Sequence, residues 1–280
     1  MFKYWKIVIP ILLTLATILI VAQYNRTTSI KHFSFSNSAN DSLEGYFKRA
    51  ERLAKQNLSQ FSTATFLAVG DIMLSRNVAL AIQKSADVNL PFFKMASILK
   101  STDFNFGNLE SPIVKNGTVG GHSMIFATPE KYAVGLKEYN FKILNLANNH
   151  ALDQDLNGIN STIATLDTLN INHIGAEKSL DKAWQSAIVE ANGIKICFVG
   201  ASYASINDSG KTKNNYVARI EDLENLKFAI EKTKAECDFT VATMHAGTEY
   251  TRKPNKAQMN YPAASSGVSP LLRHWSLKQS

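Results

Sequence analysis

The chain has 280 residues, 45% of them hydrophobic, and carries 30 Lys and Arg against 23 Asp and Glu, a formal net charge of +7. This length holds one large domain once a terminal segment is set aside, and the apolar fraction is that of an ordinary globular core. The basic residues are scattered, with no arginine-rich stripe and no aromatic–basic interleaving, which argues against nucleic acid as a partner and leaves an anionic polymer or a cell surface compatible with the surplus.

Residues 7–22 form a charge-free apolar run preceded by Lys3 and Lys6. At about 1.5 Å per residue the run spans roughly 24 Å. Extending it from Tyr4 to Tyr24 gives about 31 Å, enough for the roughly 30 Å hydrocarbon core. Val21-Ala22-Gln23 is a poor cleavage site, so residues 1–24 read as a retained signal anchor rather than a removed signal peptide. The flanking lysines put the amino terminus inside, and the bulk of the chain outside, the cytoplasmic membrane. Residues 25–60 are polar and then helical in pattern, with Leu43, Phe47, Ala50, Leu53 and Ala54 on one face and Asp41 or Ser42 as cap. They read as a stalk, or equally as a helix packed on the domain.

From residue 65 on, strands and helices mostly alternate. Strands are predicted over 65–69, 104–106, 141–146, 186–190, 194–199 and 239–244, and helices over 75–84, 129–139 (with Thr128 as cap), 158–169 and 221–234. Asn192-Gly193 signals a hairpin between the fourth and fifth strands. Short, strongly apolar strands alternating with helices predict an α/β fold with a mostly parallel sheet. An extracytoplasmic location permits a disulfide between Cys197 and Cys237. Their positions, mid-strand and strand start, instead favour two small buried side chains, and no Cys/His cluster supports structural zinc.

Four of the apolar runs break off into metal-liking polar residues, at Asp71, at Asn108 and Glu110, at Asn149-His150, and at His245. The carboxyl edge of a sheet is where strand-to-helix loops converge on a ligand, and oxygen and imidazole donors without thiolates suit a hard or borderline metal used for hydrolysis. Taken singly, Asp71 is more often a turn or capping residue, Glu110 more often a solvated loop acid, and His245 usually a hydrogen-bonded strand end. Asn148-Asn149-His150 is the most distinctive group, because asparagine is poor in strands and its amide oxygen is a neutral ligand. Asp153, three residues beyond His150, is placed to hold the imidazole tautomer.

GDIML, GNLESP, LANNHALDQ and MHAGTEY, in this order, resemble the bacterial capsule protein CapA family of poly-gamma-glutamate capsule biosynthesis, itself similar to calcineurin-like metallophosphoesterases. The resemblance runs from about Thr65 to Lys256. It implies two packed sheets flanked by helices and a divalent metal (Mn, Zn, Fe or Mg) held by Asp71, Glu110, Asn149 and His245. It further implies His150 as the acid or phosphate-contacting residue with Asp153 behind it, and Asn108 where the phosphoesterases carry a bridging Asp. The partners implied are the cytoplasmic membrane, other capsule synthesis and export proteins, and an anionic polymer. The family continues into a Gly-His-x-Pro-His motif that this chain does not carry. Residues 61–256 are therefore expected to be a shortened CapA-like domain, and 257–280 an irregular, exposed tail without a ligand, His274 included. Two classes of function follow: a capsule-assembly factor of low catalytic competence, or an active metal-dependent hydrolase of a phosphoester or an anionic polymer.

Overall fold

The computed structural model describes residues 63–203, 214–248 and 251–264. The expected anchor (1–24) and stalk (25–60) lie outside them. Among the described residues no helix is long and apolar enough to cross a membrane. All of them belong to the compact unit Gln60–Ser280.

The elements in chain order are β1 (Phe66–Ile72), α1 (Arg76–Ser85), a 3-10 turn (Phe93–Met95), α2 (Ala96–Leu99), β2 (Phe104–Leu109), β3 (Ile113–Val114) and β4 (Thr128–Pro129). A second 3-10 turn (Glu130–Ala133) leads into α3 (Val134–Glu138), β5 (Phe141–Asn145), α4 (Asp155–Leu169), β6 (Asn172–Ile174) and α5 (Leu180–Ala183). The chain continues through β7 (Ala187–Ala191), β8 (Ile194–Ser202), α6 (Leu223–Glu236), β9 (Phe239–His245) and α7 (Lys256–Ala264). A four-stranded sheet has the order β1-β2-β5-β6 and is parallel throughout, and a second sheet has the order β7-β8-β9. As the Asn192-Gly193 signal predicts, β7 and β8 form an antiparallel hairpin, with φ of 53° and 79° at those two residues. Positive φ at both central positions is the backbone of a type I′ turn, whose twist matches the flanking strands.

The sheets face each other across an apolar layer: Phe104, Phe106, Ile143 and Ile174 from the first meet Val189, Ile196, Phe198 and Val241 from the second. Phe198, fully buried, stacks on Phe106 at 5.4 Å and meets Phe66 and Phe104 edge-on. Burying such a ring contributes about 1.5–3 kcal/mol. Strand side chains alternate between faces, so Val199 and Ala201 of β8 point the other way, into a cluster with Leu226, Ala229 and Ile230 of α6. On the far side of the parallel sheet, Ile159, Ile163 and Leu166 of α4 join Leu109, Leu144 and Leu146. Mixed α/β layering with a parallel sheet is therefore the observed architecture.

Four local expectations are corrected. The predicted 129–139 helix is a 3-10 turn followed by the short α3, and Thr128 does not cap it. Thr128 instead pairs with Ile113, and its hydroxyl meets Ser111 Oγ at 2.7 Å. β6 is not predicted because its three residues include Asn172 and His173 and have no apolar pattern. Cys197 and Cys237 are bonded to each other, with Cα atoms 5.8 Å apart. Parallel pairing of β8 with β9 sets Cys197 opposite Thr240, and Cys237, which caps the end of α6 before β9, closes onto Cys197 within disulfide reach. The segment expected to be irregular from 257 starts as α7. There Tyr261 is buried and donates to Thr243 O at 2.8 Å, while Gln258 Nε2 donates to Ala246 O at 2.9 Å. An apolar ring with one polar tip, and one amide, dock this segment on β9 without a periodic apolar face. Residues 265–280, His274 among them, lie outside the described residues.

Candidate metal centre

Several strands run further than their apolar stretch predicts, because the parallel ladder continues through polar residues. Asp71 of β1 is in register with Asn108 of β2, and Asn108 with Asn145 of β5, so three polar side chains line up across adjacent strands at the carboxyl edge. Glu110 follows β2 directly and its backbone N–H donates to Ile72 O at 2.9 Å. His245 closes β9 of the second sheet and reaches across to the first.

The expected residues converge. One ligand atom each from Asp71, Glu110 and His245 lies within 4.8 Å of the others. His245 Nδ1 is 3.3 Å from Asp71 Oδ1 and 3.1 Å from Asn108 Nδ2. Its Nε2 is 2.7 Å from Asn149 Oδ1 and 3.6 Å from Glu110 Oε1. Glu110 and His245 are nearly buried, whereas the Asp71 side chain keeps 29% of its surface exposed and forms the open side. Tyr203 lies parallel to the His245 ring at 6.3 Å, and Ser202 Oγ donates to His245 O at 3.2 Å, which fixes the histidine from behind.

His150 does not join the cluster through its Nδ1, which lies 2.8 Å from Asp153 Oδ2. Asp153 also accepts the Phe126 N–H at 2.6 Å, and the Phe126 ring stacks on the imidazole at 3.9 Å. Backbone, carboxylate and ring thus hold His150 in one orientation, one residue along from Asn149. Asn145 and Asn148 are the members not assigned a role from sequence: both are buried, and both donate to Asn108 Oδ1. An asparagine closing the apolar run 141–146 is the available signal for Asn145, since a strand core rarely holds one without a partner.

The donor chemistry fits a divalent cation. Two carboxylates, an imidazole and an amide oxygen are the oxygen-and-nitrogen set of a hard or borderline ion. Two carboxylates this close in a largely buried site repel each other unless a cation or proton lies between them. Both cysteines are committed to the disulfide, so no thiolate competes.

A model of the bacterial capsule synthesis protein PGA_cap matches residues 65–265, which include every residue of the cluster. The chain is 31% identical to a PGA biosynthesis protein CapA of Bacillus subtilis over 74% of its own length and 55% of that protein's. It is 25% identical to a capsule biosynthesis protein CapA of Bacillus anthracis over 76% and 54%. The chain thus spans about half the length of the curated relatives it matches. Among solved structures, a hypothetical protein from Thermus thermophilus aligns with 72% of this chain and 63% of its own, at 15% identity and a TM-score of 0.43. The family match covers most of the chain and all four sequence motifs, and on that ground the chain belongs to the PGA_cap family of bacterial capsule synthesis proteins, the CapA proteins.

Proposed function

We propose that the protein serves the biosynthesis of a poly-gamma-glutamate capsule, outside the cytoplasmic membrane, through a calcineurin-like metallophosphoesterase-type fold. Its strand-edge cluster would hold a divalent cation and engage an anionic polymer. The observation that carries the reading is that the region matching the capsule family contains a convergent Asp71–Glu110–His245 group, with the Asn149 amide oxygen beside it. The disulfide supports an oxidising, extracytoplasmic setting, because such bonds are rare in the cytosol. Anchoring by residues 1–24 and contact with other synthesis and export proteins belong to the same proposal.

Glu110, Asn149 and His245 supply the cation's donors from the closed side, and Asp71 stands at the opening. A bound cation would polarise a phosphoryl or carbonyl oxygen and screen the charge of an incoming carboxylate. The His150–Asp153 pair favours a second reading, hydrolysis. Asp153 faces Nδ1, so the imidazole is held in one orientation and can give or take a proton through Nε2, while the Phe126 ring excludes water from one face.

Complementation separates the readings. In a poly-gamma-glutamate-producing bacterium lacking its own homologue, the wild-type chain should restore surface polymer, and His245→Ala should not. His150→Ala should restore it if the role is assembly, and fail if it is hydrolysis. Full restoration by His245→Ala, or none by a well-expressed wild type in the membrane fraction, would sink the proposal.

A further inference from the structure

The amide of Asn108 lies at the centre of the cluster, and its orientation is set from behind. Its Oδ1 accepts from Asn145 Nδ2 at 2.9 Å and from Asn148 Nδ2 at 3.3 Å. Both donors are themselves oriented by backbone groups. Asn145 Nδ2 also donates to Ala147 O at 2.8 Å, and its Oδ1 accepts from Ala147 N at 3.3 Å. Asn148 Nδ2 also donates to Leu109 O at 2.8 Å, and its Oδ1 accepts from His150 N at 3.0 Å. A backbone N–H only donates and a carbonyl only accepts, so neither amide can turn over without facing like to like. Asn145 is also wedged in place: a Cβ at Gly175 would come within 2.8 Å of its Oδ1, and one at Gly200 would overlap it.

Asn108 therefore turns its nitrogen to the site, 2.7 Å from Asp71 Oδ1 and 3.1 Å from His245 Nδ1. An amide nitrogen offers N–H and no lone pair to a cation; carbonyl oxygen is the ligand end of asparagine. Paired metal ions sit about 3.5–4 Å apart, a separation that a carboxylate oxygen shared between them can hold. On the β2 side of this centre, the group that faces both Asp71 and His245 Nδ1 is an N–H donor and not an oxygen. The oxygens of Glu110 and Asn149 gather instead at the opposite ring nitrogen, His245 Nε2.

We propose that the centre holds one divalent cation rather than two, and that Asn108 sets this number by placing an N–H donor between Asp71 and His245 Nδ1. The inference rests on the metal-centre reading given above. It makes Asn108 a positioning residue that holds Asp71, and it gives Asn108→Asp a definite consequence. The new carboxylate keeps both N–H donors on Oδ1 and turns Oδ2 toward Asp71, where Nδ2 now stands 2.7 Å away. Two carboxylate oxygens at that separation need a cation or proton between them, so the variant creates the missing shared oxygen.

The test counts metal. The full chain is equilibrated with Mn2+, freed of excess, and measured by elemental analysis, calorimetric titration and electron paramagnetic resonance. Wild type should retain one Mn2+ per chain, with the spectrum of isolated ions. Asn108→Asp should retain two, with a spin-coupled spectrum. Two coupled ions in the wild type would overturn the inference while leaving the metal centre intact. No retained ion in the wild type would overturn the metal-centre reading, and this inference with it. A single ion in a cooperatively melting Asn108→Asp would also overturn the role given to Asn108. Should that variant fail to fold, the wild-type count still decides.

Discussion

Gly200→Ala tests whether the buried asparagine network, rather than the ligands alone, sustains the site. Gly200 lies on β8 of the second sheet, opposite Asn145 of the first. An added Cβ would overlap Asn145 Oδ1 and come within 3.0 Å of Ile174 Cδ1. Asn145 is 1% exposed and is bounded on another side by Gly175, so it has no room to retreat. Overpacking of this kind costs about 1–3 kcal/mol. Loss of the Asn145–Asn108 hydrogen bond adds roughly 1 kcal/mol. The sum of about 2–4 kcal/mol, at roughly 2–4 °C per kcal/mol for a domain this size, lowers the melting temperature by about 4–16 °C. Because Asn145 orients Asn108, and Asn108 holds Asp71, divalent-metal affinity should also fall, by about 10–100-fold. Gly70→Ala is the control: it lies beside Asp71, a Cβ there meets nothing within 4 Å, and neither quantity should move. Calorimetric melting with and without Mn2+, together with titration, reads both effects. A Gly200→Ala protein with wild-type melting and wild-type affinity would refute the reasoning.

Two further outcomes concern the scaffold. Replacing Cys197 and Cys237 by Ser opens a bridge between residues 40 apart in sequence, a loop whose closure is worth about 4 kcal/mol in the chain-entropy model; chemical denaturation should show a loss of that order, and an unchanged midpoint would deny the bond. Asp103 is held below its ordinary carboxyl value, first by the Thr65 backbone N–H and then by the Thr65 hydroxyl, against some burial, with the Asn192 amide adding to the lowering. A carboxylate depressed in this way stabilises the fold above its unfolded value of 3.8, and that contribution disappears as pH falls through the lower folded value. Asp103→Asn should therefore flatten the acid limb of a melting-temperature profile and leave its neutral part shifted by a constant; an unchanged acid limb would refute the assignment.

The strands are readable because each carries a β-rich apolar run, and the turn because Asn192-Gly193 suits positive φ at both positions. Strand ends are not readable. β1, β2 and β9 continue to Ile72, Leu109 and His245, since hydrogen bonding between neighbours is indifferent to side-chain polarity. β6 is hidden for the converse reason: its backbone pairs with β5 while its side chains carry no period-two signal. The disulfide escapes sequence reasoning because spacing along the chain says nothing of how the end of α6, capped by Cys237, is set against Cys197 of β8. Tyr261 escapes it because a single buried ring leaves no periodicity.

For the site, residue types are legible and orientations are not. Asp71, Glu110 and His245 stand at or just past strand ends and Asn149 in the turn after β5, and their ligand atoms gather, those of Asp71, Glu110 and His245 within 4.8 Å of one another, as the metal reading needs. The distinction between Asn108 and Glu110 lies beyond sequence, since an asparagine amide offers an oxygen or a nitrogen and the choice depends on its neighbours. Here the neighbours are two further asparagines, each fixed by backbone groups, and the result is that an N–H faces Asp71. One more carboxylate at that position would add negative charge to a site already holding two acids. An amide instead adds no charge, holds Asp71 by hydrogen bonding, and leaves the Glu110 and Asn149 oxygens at the opposite ring nitrogen of His245. Residues from both sheets meet at this point, so overpacking at Gly200 or Gly175 would act on Asn108 and Asp71 through the same chain of amides.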